Sequence, residues 1–311
     1  MSLPLLEVNN VSISFIQYET GLKQVNVPVI KNLSLSVNPG EIVAVVGASG
    51  SGKSLLAHAI LGILPKNARV TGQLTFDGEP LTSSLIKKLR GREVALVPQS
   101  VQFLDPLMRV GHQVKQAVRT GDPEEEQIKA FQRYRLGPKT ARRFPHQLSG
   151  GMARRVLVSI ATVSGARLLI ADEPTPGLDE AVIQETLLSF KELATRGSAI
   201  IFITHDLEAA LKIADRVAVF YSGTTVEVAP STDFEGMGEN LRHPYTQALW
   251  NALPQNQFSV LQQNFGGKGE PLSINGCMFA DNCGSATYEC SQIFPELRPL
   301  RNGMVRCCHA T

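Results

Sequence analysis

The feature that most constrains the fold is a glycine-rich segment between a short apolar run and a helical pattern. Its residues, Gly47-Ala-Ser-Gly-Ser-Gly-Lys53-Ser54, fit the pattern G-x4-G-K-[ST]. The apolar, mostly β-branched run Ile42–Val46 precedes it, as expected for a strand buried on both faces, and Ser54–Leu64 has the pattern of a helix. A strand, a glycine-rich turn and a helix in this order predict a polyphosphate site, because backbone N–H groups and the helix dipole converge there.

The residue types in this loop match the chemistry of a nucleotide site. Lys53 is long enough to reach the β- and γ-phosphates, and the Ser54 hydroxyl is a ligand for Mg²⁺. The alternative is a glycine-rich surface turn with an exposed lysine, and the strand–loop–helix context argues against it. The other predicted nucleotide contacts in the loop are Gly47, Ser49, Gly50, Ser51 and Gly52.

A second polar site follows another apolar strand, Leu168-Leu-Ile-Ala-Asp172-Glu173. The Asp172 carboxylate is expected to hold Mg²⁺ at the edge of the sheet, and Glu173 is placed to polarise an attacking water. An acidic pair at a strand end is common and would be weak on its own. Together with the phosphate loop, it predicts nucleotide hydrolysis.

The composition excludes several other classes of protein. Of the 311 residues, 43% are hydrophobic and 19% are charged, which is typical of a globular chain rather than a disordered one. The formal net charge of +2 is too small to favour nucleic acid as the main partner. No apolar run approaches the ~18 residues of a membrane span, and the N-terminus lacks the features of a secretory signal. We expect a cytosolic chain, or one held at a membrane by partner proteins.

Short strand patterns alternate with helical ones along much of the chain, which favours a parallel sheet with helices on both faces. The segment from Val110 to Val163 lacks strand patterns and is predicted to be a helical insert. We therefore predict an α/β fold with a mostly parallel core sheet, an N-terminal antiparallel β subdomain, a helical insert (about 110–163) and a Cys-rich tail. The predicted domain bounds are 1–254 for the nucleotide domain, 255–269 for a linker and 270–311 for the tail. The strand patterns lie at Leu5–Val11, Leu33–Val37, Ile42–Val46, Val70–Phe76, Val94–Val97, Leu168–Ala171, Ala199–Ile203 and Val217–Tyr221.

The order of the motifs resembles that of the ABC ATPases. Leu148-Ser149-Gly150-Gly151-Met152 lies between the phosphate loop and the acidic strand, where that family has its signature segment. The resemblance covers residues 1 to about 250 and implies the ABC-type P-loop fold. Other matching positions are Gln99 in the Q-loop, Gly177-Leu178-Asp179 in the D-loop, Thr204-His205-Asp206 at the switch histidine, and Phe15, with Tyr18 as second candidate, at the aromatic that stacks on adenine.

The same resemblance implies roles for these residues. In ABC ATPases two nucleotide domains associate head to tail, so that Ser149, Gly150 and Gly151 of one would close on the γ-phosphate held by the other. Glu173 would be the general base, His205 would contact the γ-phosphate and the attacking water, and Gln99 would be a Mg²⁺ ligand and sensor. Met152 and Arg154 stand where many relatives carry Gln, and neither change removes a phosphate contact, so activity is expected to survive.

Two further segments resemble the oligopeptide, dipeptide and nickel importers within this family. His243-Pro244-Tyr245-Thr246 is similar to the segment after their nucleotide domain, and Phe144-Pro145-His146-Gln147 agrees with it. Leu61-Gly-Ile-Leu-Pro65 is somewhat similar to the nickel branch, so the cargo remains open between peptides and nickel.

This resemblance implies an energy-coupling subunit at the cytoplasmic face of the inner membrane. Its partners would be a second ABC ATPase, expected to be a different chain, two membrane permease subunits and, indirectly, an extracytoplasmic substrate-binding protein. The permease would dock near Val101–Val114. The alternatives are a soluble ABC ATPase of the DNA repair or translation type, whose usual fused domains, coiled coils or basic inserts are not seen in this sequence, and a module that binds ATP without hydrolysing it.

All five cysteines lie in the tail, in the pattern Cys277-x5-Cys283-x6-Cys290-x16-Cys307-Cys308-His309. Clustered cysteines in a cytosolic chain favour metal ligation over disulfides, and the tails of these importers resemble this pattern. The spacing lacks the short C-x2-C pairs of zinc ribbons, so we predict a [4Fe–4S] cluster. The predicted ligands are Cys277, Cys283, Cys290 and Cys308, with Cys307 as a substitute for the last; zinc or free thiols are the alternatives.

Overall fold

The computed structural model describes residues 3–19, 22–256 and 276–311, so residues 257–269 of the predicted linker lie outside the described ranges. The strands are β1 (Leu6–Tyr18), β2 (Gln24–Val37), β3 (Ile42–Gly47), β4 (Ala68–Phe76), β5 (Glu79–Pro80), β6 (Val94–Val97), β7 (Leu168–Asp172), β8 (Ala199–Thr204), β9 (Arg216–Tyr221), β10 (Thr224–Pro230), β11 (Arg298–Leu300) and β12 (Gly303–Val305). The α-helices are α1 (Lys53–Ile60), α2 (Ser83–Leu89), α3 (Val110–Ala117), α4 (Pro123–Arg133), α5 (Gly150–Thr162), α6 (Glu180–Thr195), α7 (Leu207–Leu211), α8 (Pro244–Asn251) and α9 (Tyr288–Gln292). Short 3₁₀ helices cover Val101–Phe103, Pro138–Arg142, Pro145–Gln147, Ser231–Asp233 and Ala280–Asn282.

The main sheet has eight strands in the order β11-β12-β10-β9-β3-β8-β7-β6. Strands β6, β7, β8, β3 and β9 run parallel to their neighbours, and β10, β12 and β11 extend the sheet antiparallel. Every residue of β3, β7 and β8 is buried, as the continuous apolar runs predict. Because these three strands are parallel, the phosphate loop and the polar residues after β7 and β8 meet at one edge of the sheet.

A second, four-stranded antiparallel sheet has the order β2-β1-β4-β5. Strands β1 and β2 pair as far as Tyr18 and Gln24, so both are longer than the sequence predicts. The residues near this end are mostly polar, and they still pair because an antiparallel sheet accepts polar side chains on its solvent face. The two sheets and their helices confirm the predicted α/β class with an antiparallel N-terminal part.

Three hydrophobic clusters hold these layers together. One lies between the main sheet and its helices and includes the edge-to-face pair Phe190 and Phe202, with ring centroids 6.1 Å apart. The second fills the space between the two sheets and reaches Leu56 of α1. The third includes Val110, Phe131 and Val156 and lies within the helix-rich segment 110–163, which holds α3, α4 and α5. In the ranges that the structure describes, no helix is both long and apolar enough to cross a membrane.

The tail continues the main sheet, because β12 pairs with β10 through Glu227 opposite Val305. The sequence analysis missed β10, β11 and β12. Strand β10 contains Glu227, which is fully buried although it is charged. Strands β11 and β12 have three residues each, which is too short for an alternating apolar pattern to show.

A buried polar network connects strand β10 and the segment before α8 to the tail. The Glu227 carboxylate accepts hydrogen bonds from the backbone N–H groups of Arg242 (2.9 Å) and His243 (2.8 Å). The Arg242 guanidinium contacts Glu227 and Asp233, and its Nε donates to the Leu300 carbonyl in the tail at 2.8 Å. Burial raises the pKa of Glu227, and the donated hydrogen bonds oppose this shift. Arg242 therefore joins the nucleotide domain to the tail at a site where neither charge reaches water.

The substitution Arg242→Ala is expected to lower the free energy of unfolding by about 3–5 kcal/mol, because it leaves the buried Glu227 carboxylate without its cation. Urea denaturation followed by circular dichroism measures the change. The matched control is Arg167→Ala, which breaks an exposed ion pair with Asp77 and should cost at most about 1 kcal/mol. Equal losses in the two variants would contradict a buried, tail-fastening role for Arg242.

Candidate functional site

The phosphate loop joins β3 to α1 and is closed by its own lysine. Lys53 Nζ donates to the carbonyl oxygens of Gly47 at 2.7 Å and Ala48 at 3.0 Å. Burial lowers the pKa of Lys53, while the nearby carboxylates of Glu173 and Asp172 oppose that shift. An ammonium group at the N-terminus of a helix has the positive charge and the position needed to bind a phosphate group.

The backbone at Gly47 lies too close to the neighbouring strand for any side chain. A Cβ atom at this position would lie 2.2 Å from the carbonyl oxygen of Phe220 in β9. Gly52, at the start of α1, has φ +92°, a left-handed conformation that favours glycine. These two glycines explain why the loop can lie flat against the sheet and turn its N–H groups toward a ligand.

Strand β7 brings Asp172 to the same place. Ser54 Oγ donates to Asp172 Oδ1 at 3.1 Å, which joins the phosphate loop to the acidic strand. Burial raises the pKa of Asp172, and the Ser54 hydrogen bond opposes the rise. A hydroxyl and a carboxylate in contact beside a phosphate loop form a donor set that fits Mg²⁺, which prefers oxygen ligands and keeps several waters.

Glu173 has a strained backbone and a side chain placed for base chemistry. Its φ of +48° is rare for a residue other than glycine, and such strain is typical of functional sites. His205 Nδ1 lies 2.8 Å from Glu173 Oε1, and Glu173 Oε2 is buried with no hydrogen-bond partner in the described part of the chain. One carboxylate oxygen is thus oriented by His205, and the other is free to accept a proton.

Lys53, Ser54, Glu173 and His205 border a single cavity of about 620 Å³, and Asp172 is connected to it through its hydrogen bond from Ser54. It brings together residues predicted from four separate motifs, so the tertiary structure collects the predicted phosphate, metal and water-activating residues in one place. The lining residues are Val29, Ser49, Gly50, Gly52, Lys53, Ser54, Leu55, Gln99, Arg154, Glu173, Pro176 and His205.

A second cavity, of about 580 Å³, shares Val29 and Gly50 with the first and extends along β1 and β2. It is lined by Ser14 and by Met278 from the tail, among other residues. Phe15, predicted to stack on adenine, is half-buried, packs against the cluster between the two sheets and is not among the described residues that line either cavity. The second candidate, Tyr18, is exposed, and its hydroxyl accepts a hydrogen bond from Gln24.

The predicted signature residues lie apart from this cavity. Ser149 caps α5 by accepting a hydrogen bond from the Met152 N–H at 3.3 Å, and Ser149 and Gly150 are exposed. Neither they nor Gly151 belongs to the described lining of the cavity beside Lys53. An exposed helix N-terminus is a ready anion site, and here it lies outside the described lining of the cavity beside the chain's own phosphate loop.

The tail cysteines border a third cavity, of about 290 Å³. All five line it, together with His243, Phe279 and His309. Burial raises the pKa of Cys277 to about 11, with the neighbouring thiols Cys307, Cys290 and Cys283 adding to the rise. Among the described residues, no group of three or more His, Cys, Asp or Glu side chains is arranged to hold a metal ion.

Sequence reasoning missed several residues that line the nucleotide cavities. In the sequence, Arg154 stands out only as a departure from the usual pattern, and nothing marks Val29 or Met278 as site residues. Arg154 acts through backbone carbonyls of distant segments, which leave no trace in the sequence, and Met278 arrives from the tail only through the fold.

The phosphate loop, the acidic strand end and the separate signature helix on this two-sheet fold together define an ATP-binding cassette ATPase. Residues 30–176 match the family described as ABC transporter, and residues 226–290 match the oligopeptide/dipeptide transporter, C-terminal region. The chain therefore belongs to the ABC transporter ATP-binding subunits of the oligopeptide and dipeptide group, as its resemblance implied, and it is an ABC-type ATPase.

Relatives of nearly the same length support this assignment. The chain is 35% identical to the dipeptide transport ATP-binding protein DppD of Escherichia coli, with 99% of the chain and 97% of that protein covered. It is 32% identical to the oligopeptide transport ATP-binding protein OppD of Haemophilus influenzae, with coverage of 98% and 97%. A solved structure of an ATP-binding subunit of an ABC transporter superposes with a TM-score of 0.63 at 25% identity, covering 74% of this chain and 91% of that one.

The substitution Gly47→Ala is expected to weaken ATP binding about tenfold or more, because the added methyl group would overlap the Phe220 carbonyl and displace the phosphate loop. Titration with a fluorescent ATP analogue measures the change. Gly137→Ala is the matched control, since a Cβ at Gly137 meets no atom within 4 Å. If both variants bound ATP as tightly as the parent chain, the loop would not depend on this close approach.

Proposed function

We propose that this chain hydrolyses ATP to drive the import of peptides through separate membrane permease subunits. The observation that carries the proposal is that its similarity to oligopeptide and dipeptide transport proteins extends beyond the nucleotide domain into residues 226–290. The C-terminal region is the part that distinguishes this group from other ABC ATPases. The relatives named above are peptide transport proteins, which supports peptides over nickel as the cargo and a transporter subunit over a soluble DNA repair or translation ATPase.

The geometry supports a role for each residue in hydrolysis. Lys53, Ser49, Gly50, Ser51 and Gly52 would bind the phosphates through side-chain and backbone N–H donors. Mg²⁺, held by Ser54, Asp172 and Gln99, would supply charge neutralisation on the phosphate oxygens.

Glu173 would accept the proton of the attacking water at its unpaired Oε2, while His205 holds Oε1 and faces the cavity that would contain the γ-phosphate. Phe15, predicted to stack on adenine, packs toward the core and is not among the described residues that line either cavity. We propose that the cavity along β1 and β2 receives the adenosine moiety and that Phe15 shapes it from behind.

A second subunit is needed to complete this site. Ser149 and Gly150 are exposed and Gly151 is half-buried at the start of α5, and all three lie outside the described lining of the chain's own cavity, so their donors are available to a nucleotide on another ATPase subunit. We propose that the partner is a related but different chain, as in the importers that this chain resembles. The assembled pair would bind two permease subunits at the cytoplasmic face of the inner membrane and receive cargo indirectly from an extracytoplasmic binding protein.

The helical insert offers the docking surface for a permease. A cavity of about 470 Å³ lies among α3, α4 and the turn at Pro138–Arg142, lined by Arg109, His112 and Phe131 among others. Phe103 and Leu107 of the predicted docking segment are exposed large apolar side chains. An apolar surface bordered by basic groups fits an amphipathic helix that carries acidic residues.

We also propose that the tail cavity holds a [4Fe–4S] cluster. All five tail thiols line this one cavity, and a cluster of this kind needs four thiolates that each bind a different iron atom. Cys307 is half-buried, whereas Cys308 is exposed. We therefore propose Cys277, Cys283, Cys290 and Cys307 as ligands, in place of the Cys308 predicted from sequence.

Glu173→Gln is expected to lower ATP turnover at least about 100-fold while ATP binding persists, because the amide cannot accept a proton. The variant should accumulate as an ATP-bound dimer of ATPase subunits. Phosphate release and size-exclusion chromatography with ATP measure these two effects in the purified transporter. In cells lacking the native chain, the parent protein should restore uptake of a labelled dipeptide or oligopeptide, and the variant should not.

The control for this experiment is Glu79→Gln, an exposed glutamate of β5 in the other sheet, which should behave as the parent chain. Unchanged turnover in Glu173→Gln would disprove its role as the base. Uptake of labelled nickel but not of peptide would disprove the proposed cargo while leaving the ATPase assignment intact.

Anaerobically purified parent protein is expected to be coloured and to contain about four iron atoms per chain. Cys307→Ser should lose this absorbance and iron, whereas the matched variant Cys308→Ser should retain both. Colourless protein with bound zinc would replace the cluster by a zinc site, and colourless, metal-free and fully active protein would show that the thiols are free. Metal analysis and visible absorbance distinguish these results.

A further inference from the structure

Arg154 occupies an unusual position between the signature helix and the nucleotide cavity. It lies on α5, the helix capped by Ser149, and its side chain lines the cavity beside Lys53. Its Nη2 donates to the carbonyl oxygen of Gln99 at 2.7 Å, and its Nη1 donates to the carbonyl oxygen of Glu173 at 2.5 Å. One guanidinium therefore joins two segments that follow different strands, β6 and β7.

The two bonded segments carry the proposed Mg²⁺ ligand and the proposed base. The Glu173 backbone is in the left-handed region, which is strained for a residue other than glycine and persists only where the surroundings hold it. A guanidinium presents its N–H donors in a rigid planar fork, so it fixes both the distance and the direction between two acceptors. Arg154 has this geometry toward the backbones of Gln99 and Glu173.

Arg154 contacts the backbone of Glu173 and not its carboxylate. Arg154 binds the Glu173 carbonyl in the backbone, while the Glu173 carboxylate bonds His205 through Oε1 and keeps Oε2 unpaired within the described residues. A cation paired with the carboxylate would lower its basicity. Binding the carbonyl instead positions the side chain without occupying the oxygen that would accept the proton.

The same helix carries the segment that would act on the partner's nucleotide. Ser149 and Gly150 form the exposed start of α5, and Arg154 lies further along it. A helix moves as a stiff unit over this length, because its backbone hydrogen bonds connect successive turns. A displacement of the Ser149 end would therefore shift the guanidinium and both carbonyl groups that it holds.

We propose that Arg154 is a positioning residue for ATP hydrolysis, which holds the backbones of Gln99 and Glu173 in reacting alignment and makes that alignment follow the position of the signature segment. The inference rests on the proposed function in one respect, namely the assignment of Glu173 as the base. The commoner glutamine at this position has one amide donor group on a shorter side chain, so it cannot span the two carbonyls in the same way.

Arg154→Gln in the full chain, assembled in the purified transporter, tests the proposal. We expect kcat to fall about 10- to 100-fold, the range that a small misplacement of reacting groups produces, with the KM for ATP within about threefold of the parent value. The Mg²⁺ concentration for half-maximal activity should rise, because Gln99 is displaced. Arg154→Lys should recover part of kcat, since its ammonium can bond one carbonyl but lacks the fork.

The matched control is Arg92→Gln, an exposed arginine near β6, which should leave every value unchanged. A higher KM with an unchanged kcat would show that Arg154 binds the nucleotide directly, and this would overturn the proposal. A loss of kcat that follows a comparable fall in the thermal midpoint, or no change at all, would also overturn it. An active Glu173→Gln variant measured alongside would instead remove the proposed function, and the two failures are thereby distinguished.

Discussion

The structure depends on the parallel alignment of β3, β7 and β8 at the centre of the main sheet. Their registers place the ends of all three strands at one edge, with Val46 beside Thr204 and Asp172 beside Ile203. Since all three strands are fully buried, their hydrogen bonds and packing fix this edge with little freedom to shift. The Ser54–Asp172 and His205–Glu173 contacts are consequences of that register, and so is the cavity beside Lys53.

The tail is attached to this framework by polar as well as apolar contacts, since Phe279 packs in the main hydrophobic cluster against Tyr221 and Tyr245. Glu227 and Arg242 form a buried pair, and Arg306 donates to carbonyls of Thr225, Pro295 and Asn32, so that it connects the tail to both sheets. A buried pair of charges adds little net stability but penalises any arrangement that leaves one of them alone. This accounts for a short cysteine-rich segment holding one defined position, with Met278 beside the nucleotide cavity and the thiols around their own.

Much of the site could be predicted because its residues belong to short local motifs. Lys53, Ser54, Asp172 and His205 each follow a buried strand, and strand ends of a parallel sheet meet. Phe15 shows where this reasoning fails, since an aromatic residue on a strand can face either the core or a ligand, and strand alternation alone does not say which. Strands β10 to β12 are likewise not evident from the sequence, because β10 carries the buried Glu227 and β11 and β12 have three residues each, so that strand pairing and the Arg242 contact to Leu300 define them.

The sequence by itself determined the α/β class, the nucleotide chemistry and the membership in a transporter family, because these depend on residue types at fixed spacings along one segment. The tertiary structure alone decided which distant groups meet. It placed Arg154 on the carbonyls of Gln99 and Glu173, turned Phe15 toward the core and gathered all five tail cysteines around one cavity. Contacts of this kind involve backbone atoms and side-chain directions set by packing, which no spacing along the chain encodes.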